Sequence, residues 1–332
     1  MDAGLAVAAG YDIDDICRFP YEFNNPGARF HNNSVSALTA RELGRHYPKG
    51  DARILVGCAP CQTFSKYAQG IKNDNDPKWT LLKDFARLVK QLKPDVVSME
   101  NVPDLQRYPI FDDFLSVLIQ EGFQFVSDRA KWVVNCPDYG IPQRRRRLVI
   151  VASRLGPIEF IPPTHHPSQY RSVHDVLRNL PALVAGEVCA SDPLHRTSGL
   201  SKRNLERIRA SKPGGSWRDW PIRLRANCHK QTTGKSYPSV YGRMEWDKPS
   251  QTITTQFYGF GSGRFGHPEQ DRGLSLREGA ILQSFPKRYE FVESEADYSF
   301  KEIGRMIGNA VPVKLGRAIG RTITDHLIQH GR

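Results

Sequence analysis

The chain has 332 residues, 39% of them hydrophobic, and a net charge of +12 from 47 basic and 35 acidic side chains. That size and apolar content exclude a disordered chain and allow one large domain or two smaller ones. Six cysteines make no disulfide scaffold at this length, no run reaches the ~18 apolar residues of a membrane span, and the N-terminal stretch turns acidic without a basic leader, so a cytoplasmic protein is expected.

Arg53–Gly57 is a short apolar run ending in small residues, a buried strand leading into a loop. Leu81, Phe85, Leu88, Val89 and Leu92 recur at helical spacing and predict a helix over 80–92, stopped by Lys93-Pro94. Asp95–Met99 is the next strand, with Glu100-Asn101-Val102-Pro103 at its carboxyl end. A helix over 111–120, extended segments over 123–126 and 130–134, and a buried strand over 147–152 follow. Strand–helix alternation predicts an α/β fold with a largely parallel, doubly wound sheet and helices on both faces. Ligands bind such sheets beyond the carboxyl ends of strands, where both GCAPCQ (57–62) and ENVP (100–103) fall. After Ser153 the chain is rich in Pro, Gly, Arg, His and Trp, with little periodicity beyond 200–210, which predicts a smaller loop-rich domain. Helices return over 276–285, 300–307 and 313–328. No internal repeat or low-complexity tract is present.

The charge is not spread evenly. From Ile141 to Trp246 there are 19 Lys/Arg and 7 Asp/Glu, and the remainder balances at 28 against 28. A cationic excess confined to one block points to a polyanion, with phosphates first.

Gly57-Cys58-Ala59-Pro60-Cys61-Gln62-Thr63-Phe64-Ser65 holds a CxxC spacing with three readings. A structural zinc site needs about four ligands, and Cys136, Cys189 and Cys228 have no partner at ligand spacing. A redox pair opens a helix, which Pro60 and the loop-like QTFS fit poorly. The third reading is a nucleophile, Cys61, in a loop fixed by Pro60, with Cys58 at the strand end.

This stretch resembles the PCQ-x-FS catalytic loop of the DNA cytosine-5 methyltransferases, and further motifs follow in that family's order. Met99-Glu100-Asn101-Val102 resembles ENV, and Tyr139-Gly140-Ile141-Pro142-Gln143-Arg144-Arg145-Arg146-Arg147 resembles YGIPQ-x-R-x-R. Leu276-Arg277-Glu278 with Leu282-Gln283-Ser284-Phe285-Pro286 resembles RE-x-x-x-LQ-x-FP, and Gly308-Asn309-Ala310-Val311-Pro312 resembles GNAVP. The resemblance implies the Rossmann-like fold of S-adenosylmethionine-dependent methyltransferases. It implies a catalytic and cofactor-binding domain over 1–155 plus 295–332 and a target-recognition domain over 156–294. It also implies methyl transfer from S-adenosylmethionine to C5 of cytosine in duplex DNA, without a metal. The expected setting is a restriction–modification system, with no stable complex with the endonuclease and a monomeric enzyme.

Cytosine C5 is a poor nucleophile, and a thiolate added to C6 makes it enamine-like. The resemblance gives that thiolate to Cys61 and proton exchange with N3 to Glu100, for which a raised pKa is expected in a closed pocket. Asn101 braces the loop. Arg145 and Arg147 match the arginines that orient loop and base, whereas Arg144 and Arg146 are expected at the surface or on phosphates. Base flipping is implied, because the target atom is unreachable inside a duplex. Gln62, Ser65, Arg144, Thr252, Thr254 and Arg264 are expected at the DNA. Trp217, Trp220, His229, Lys230, Tyr237 and Tyr241 supply stacking and hydrogen-bonding types nearby, and Gly259–Gly266 reads as a close-approach DNA loop.

For the cofactor, the resemblance points to Glu22 for the ribose, Phe23 and Leu81 beside adenine, and Pro60, Asn309 and Ala310. Ser34 stands where the family has an aspartate. The family's N-terminal F-x-G-x-GG turn is not found, and Met1–Tyr11 resembles the helix after it, which predicts a truncated chain. Two alternatives follow: a DNA-binding remnant that cannot hold the donor, and an RNA cytosine-5 methyltransferase, against which the long basic middle domain argues.

Overall fold

The computed structural model describes residues 3–58, 77–231, 238–297 and 299–332. Pro60, Cys61, Gln62, Ser65 and Tyr237 lie outside them. The chain forms two compact units, Met1–Asn135 with Arg146–Pro163 and Gly316–Arg332, and Cys136–Arg145 with Thr164–Leu315. Residues 136–145 and 295–315 therefore fall in the second unit rather than in the expected first domain.

The first unit opens with β1 (Ala9–Asp12), α1 (Arg18–Asn24), β2 (Arg29–Asn32), α2 (Ala40–Gly44) and β3 (Ile54–Gly57). It continues with α3 (Pro77–Leu92), β4 (Val96–Asn101), α4 (Pro109–Gln120) and β5 (Val133–Asn135). The chain then contributes β6 (Gln143–Arg144) to the second unit and β7 (Arg146–Ser153) to the first. Strands β3, β4, β7 and β5 lie side by side in that order. All six residues of β4 are buried, as a central strand covered on both faces requires. Val97 and Met99 of β4 and Leu148, Ile150 and Ala152 of β7 pack against Leu82, Phe85, Ala86 and Val89 of α3 and against Phe111, Phe114, Leu115 and Leu118 of α4. The opposite face of α3, Leu88 and Leu92, meets Leu38 and Leu43 in a second cluster.

The sheet is mixed, not largely parallel. β3 and β4 are parallel, whereas β7 runs antiparallel to both β4 and β5. Ten residues separate β5 from β7, too few for the helical crossover that a parallel neighbour needs. The extended segment expected over 123–126 reduces to one isolated bridge, Gln124 to Ser153. The N-terminus also differs from expectation. Residues 9–12 are a strand paired in parallel with β2, with Tyr11 stacked on His31 at 4.8 Å.

The second unit holds α5 (Val173–Leu177), β8 (Val188–Cys189), β9 (Asp192–Arg196), α6 (Lys202–Arg209), α7 (Asn227–Lys230), β10 (Ser250–Gln251), α8 (Leu276–Leu282) and α9 (Phe300–Asn309). The final helix, α10 (Val313–Gln329), starts in this unit and belongs to the first from Gly316 onward. One core joins Leu276, Ala280 and Leu282 of α8 to Ile303 and Ile307 of α9 and to Ile253 and Phe257. That packing is why residues 300–309 belong here. Ser275 and Glu278 start α8 with a reciprocal capping box.

Candidate active site

Parallel pairing of β3 with β4, Gly57 opposite Met99, brings the carboxyl ends of both strands to one edge of the sheet. Gly57 is required there, because a Cβ would lie 2.6 Å from the Phe85 ring, itself buried. Cys58 follows Gly57. It is exposed as a residue, yet its thiol is pushed up to about 12, by desolvation first and by the Glu100 carboxylate second. A thiol held that high is a poor nucleophile at neutral pH.

Glu100 is 8% exposed at the end of β4. Arg147 of β7 places its Nε 2.8 Å from Glu100 Oε1, and only 12% and 10% of the two side chains are exposed. The register explains the meeting: Glu100 pairs with Val149 and Asn101 with Leu148, so the start of β7 lies beside the end of β4. The pocket carboxyl thus carries a cation, which an expectation built on a closed pocket alone had left out. Asn101, 2% exposed, accepts the Val102 N–H at 2.8 Å and shapes the turn after β4.

Burial alternates through the basic motif. Gln143 and Arg145 are buried, Arg144 and Arg146 are exposed, and Arg147 is half-buried. This is the period of an extended chain, with alternate side chains facing opposite ways. Arg145 and Arg147 fall on either side of the unit boundary. Arg145 donates to the main-chain carbonyls of Ile253 (3.0 Å) and Ala310 (3.4 Å) in the second unit. Thr252 Oγ1 donates to the Arg144 carbonyl at 2.8 Å. Thr254 and Gly308 are in backbone contact, since a Cβ on Gly308 would lie 2.4 Å from the Thr254 carbonyl carbon. Asn309 is exposed at the end of α9, and Ala310 follows it half-buried.

The expected DNA-facing aromatics are placed differently. Trp217, Trp220 and His229 are 3%, 2% and 4% exposed, and they pack with Ile208, Leu224 and Phe260 as a core. His229 stacks on Trp217 at 4.2 Å, and Tyr241 meets Trp220 edge-on at 5.7 Å. Burial, followed by Arg207 and Arg225, lowers the His229 pKa. A small loop-rich unit needs its large aromatics for a core, so they are not free to stack on bases. Arginines flank that core: exposed Arg218 and half-buried Arg225 lie over Trp217, and half-buried Arg207 lies over Trp220. Lys230 is exposed, and Arg264 donates to the Gly215 carbonyl.

On the cofactor side, the parallel register separates the two ends of β1 and β2, Ala9 opposite Arg29 and Asp12 opposite Asn32. Glu22 accepts the Phe30 N–H at 2.8 Å and lines a cavity with Arg18, Gly27 and Arg29, toward the amino end of β2. An open sheet binds ligands at the other end. There stand Asp12, an exposed carboxylate that accepts the Asp14 N–H at 2.9 Å, and Ile13, which is 75% exposed. A carboxylate with spare lone pairs beside an open apolar side chain fits a nucleoside, with ribose hydroxyls on the acid and the base over the aliphatic group. The pattern Gly-Tyr-Asp-Ile-Asp carried that signal, an apolar strand closing on an acid. Leu81 is half-buried in α3, and Phe23 is 57% exposed on α1. Ser34 accepts the Ser36 N–H at 3.3 Å as a helix cap.

Residues 1–325 match the family described as C-5 cytosine-specific DNA methylase. The chain is 50% identical over 327 residues to a Type II methylase, M.HgiDII, of Herpetosiphon aurantiacus, covering 98% of this chain and 90% of that protein. It is 29% identical to the Type II methyltransferase M.Sau96I of Staphylococcus aureus, over 98% of this chain and 72% of that one. Its fold is similar to a prophage-encoded E. coli chain (TM-score 0.73, 19% identity, 98% and 94% covered) and to a mutant of Spodoptera frugiperda DNMT2 (TM-score 0.63, 17% identity, 97% and 94% covered).

Proposed function

This chain belongs to the C-5 cytosine-specific DNA methylases, and from that premise we propose that it methylates C5 of a cytosine within a specific duplex sequence, as the modification partner of a restriction system. The observation that carries the catalytic reading is the Glu100–Arg147 pair at the carboxyl end of β4, one parallel strand from the end of β3 that leads toward Cys61. The target cytosine is flipped out of the duplex, because none of these groups reaches C6 inside the stack. The Cys61 thiolate adds to C6 and turns C5 into a nucleophilic carbon. Negative charge develops toward N3, where Glu100 exchanges a proton and Arg147 steadies the carboxyl group. S-adenosylmethionine supplies the electrophilic methyl group when bound. Loss of H5 to a base then frees Cys61.

Asp12 and Ile13 are the residues of β1 that fit the nucleoside of the donor, and they replace Glu22 and Phe23 in that role because of the end of the sheet they occupy. Asn309 and Ala310 keep the cofactor role implied by the GNAVP motif they belong to. The first unit is the methyl-transfer unit, and most of the cationic excess, which falls within 141–246, makes the second the DNA-recognition unit. In this reading Thr252, Thr254 and Arg144 meet the nucleic acid, which the Thr252 Oγ1 bond to the exposed Arg144 main chain supports.

The test uses the chain as given with radiolabelled S-adenosylmethionine, mixed-sequence duplex DNA or tRNA, and digestion of the product to nucleosides. Label in 5-methylcytosine from duplex DNA, abolished by Cys61→Ser, is expected. Label from tRNA alone would make it an RNA enzyme. DNA binding without label from either would leave a DNA-binding protein that does not use the donor.

A further inference from the structure

Gln143 and Gln283 are both fully buried, 140 residues apart in sequence, and joined through their side-chain amides. Gln143 Nε2 donates to Gln283 Oε1 at 2.9 Å and to the Leu282 carbonyl at 3.1 Å, and Gln143 Oε1 accepts the Ile253 N–H at 2.9 Å. Gln283 Nε2 donates to the Ile307 carbonyl at 2.8 Å and to the Ala310 carbonyl at 3.2 Å. Both amide NH2 groups use both hydrogens and each oxygen accepts one, and turning either over would set a carbonyl against a carbonyl, so each orientation is fixed by its partners. Arg145 adds a parallel link between the Ile253 and Ala310 carbonyls. Gly308 meets the Thr254 backbone so closely that no side chain fits. Four separate stretches of the second unit, β6, the end of α8, the Thr252–Thr255 segment and the end of α9, are therefore one block.

Packing alone does not call for this. An apolar pair would fill the space without four amide hydrogens to satisfy, and partly satisfied polar networks are costly. What the amides add is a fixed relation between two main-chain segments, the one read above as meeting DNA and the one read as meeting the cofactor. We infer that the Gln143–Gln283 pair is a positioning device that couples the two ligands: duplex DNA ordering Thr252–Thr255 sets Asn309–Ala310 for the donor, and the donor does the reverse. This rests on the reading of those segments under Proposed function. Coupling between sites is reciprocal and of order 5- to 150-fold in affinity.

The test is the dissociation constant of S-adenosylhomocysteine, by calorimetry, without and with a duplex carrying the sequence methylated in the transfer assay. The wild type is expected to bind about ten-fold tighter with DNA present. The paired variant Gln143→Leu with Gln283→Leu removes the amide-to-amide bond from both sides, and it leaves the Ile253 N–H and the Leu282, Ile307 and Ala310 carbonyls without these amide partners, so its cooperative melting is checked first. It is expected to bind each ligand alone within about three-fold of wild type and to keep no more than a two-fold coupling, roughly the floor of a measurable linkage. Full coupling in the paired variant overturns the inference, as does an equal loss of both separate affinities. If the paired variant does not melt cooperatively, the single variant Gln143→Met, close in size and without the amide, gives the same reading, with retained coupling again overturning it. A wild type that binds neither ligand would sink the functional reading itself. One that binds both without coupling would sink only the clamp.

Discussion

Glu100 and Arg147 hold opposite charges 2.8 Å apart with about a tenth of each side chain in water. At that depth the cost of breaking the pair from one side exceeds what the pair contributes, because the remaining charge stays desolvated without its ion-pair partner. Arg147→Met is therefore expected to cost ~3–5 kcal/mol in urea unfolding, and Arg147→Met with Glu100→Gln to recover most of it. A single variant within ~1 kcal/mol of wild type would show that solvent screens the pair. Neither variant is expected to transfer methyl groups. The motif spelled out both residues, but it treated Arg145 and Arg147 as equals. Only the structure separates them, one on a carboxylate and the other on two main-chain carbonyls. Gln143 was invisible as a linker because its partner lies 140 residues away.

At the scale of elements, α8 shows why a glycine can be obligatory in a helix. Gly279 is buried beside Phe257, and a Cβ there would lie 2.0 Å from that ring, which is fully buried and has nowhere to move. Alanine is the better helix former by ~1 kcal/mol, so propensity alone predicts that Gly279→Ala stabilises. Overpacking of a closed core costs ~1–3 kcal/mol and outweighs it. The expected outcome is a melting temperature several degrees lower, and a rise would mean that Phe257 finds another place. Helices α3, α4, α8, α9 and α10 were legible within a few residues because each has an apolar face of helical period. The strands were legible where they are buried on both faces, as in β4. Strand direction was not, since it depends on the length of the connection and on which neighbour each strand finds. The start of the chain resembles a helix by motif, and pairing with β2 makes residues 9–12 a strand instead. That expectation left Asp12, at the strand's end, out of the residues read from the sequence.

Across the whole molecule the charge of +12 becomes more positive as pH falls, and the second unit buries a charged cluster that responds in the same direction. Arg272, fully buried, grips both oxygens of Glu278 at 2.8 and 2.7 Å, and Ser275 N–H adds a bond at 2.7 Å. Burial alone would raise the Glu278 pKa, but the hydrogen bonds and charge of Arg272, the nearby His267 and the Ser275 N–H hold it at about 2. His267 Nδ1 accepts the N–H groups of Glu269 and Gln270, so its proton sits on Nε2, 3.7 Å from Glu278. Burial lowers its pKa to about 4, with Glu278 opposing and Arg272 and Arg243 assisting. Between its ordinary 6.5 and about 4, the unfolded chain binds a proton at His267 that the folded chain refuses. Stability from this group is thus full above 6.5 and is lost on acidification toward 4. Glu278 acts next, its contribution full above 4.5 and lost as pH falls toward 2. Each group adds up to about 1.4 kcal/mol per pH unit within its own window. The expected result is a continuous acid decline of the second unit from about pH 6.5, followed by tryptophan fluorescence in urea because Trp217 and Trp220 are buried there. His267→Gln keeps an acceptor but no titrating group, and it should flatten the slope between 6.5 and 4 while leaving the lower window intact. An unchanged slope would move the cause to the surface charge, and adding salt would then restore the lost stability by screening.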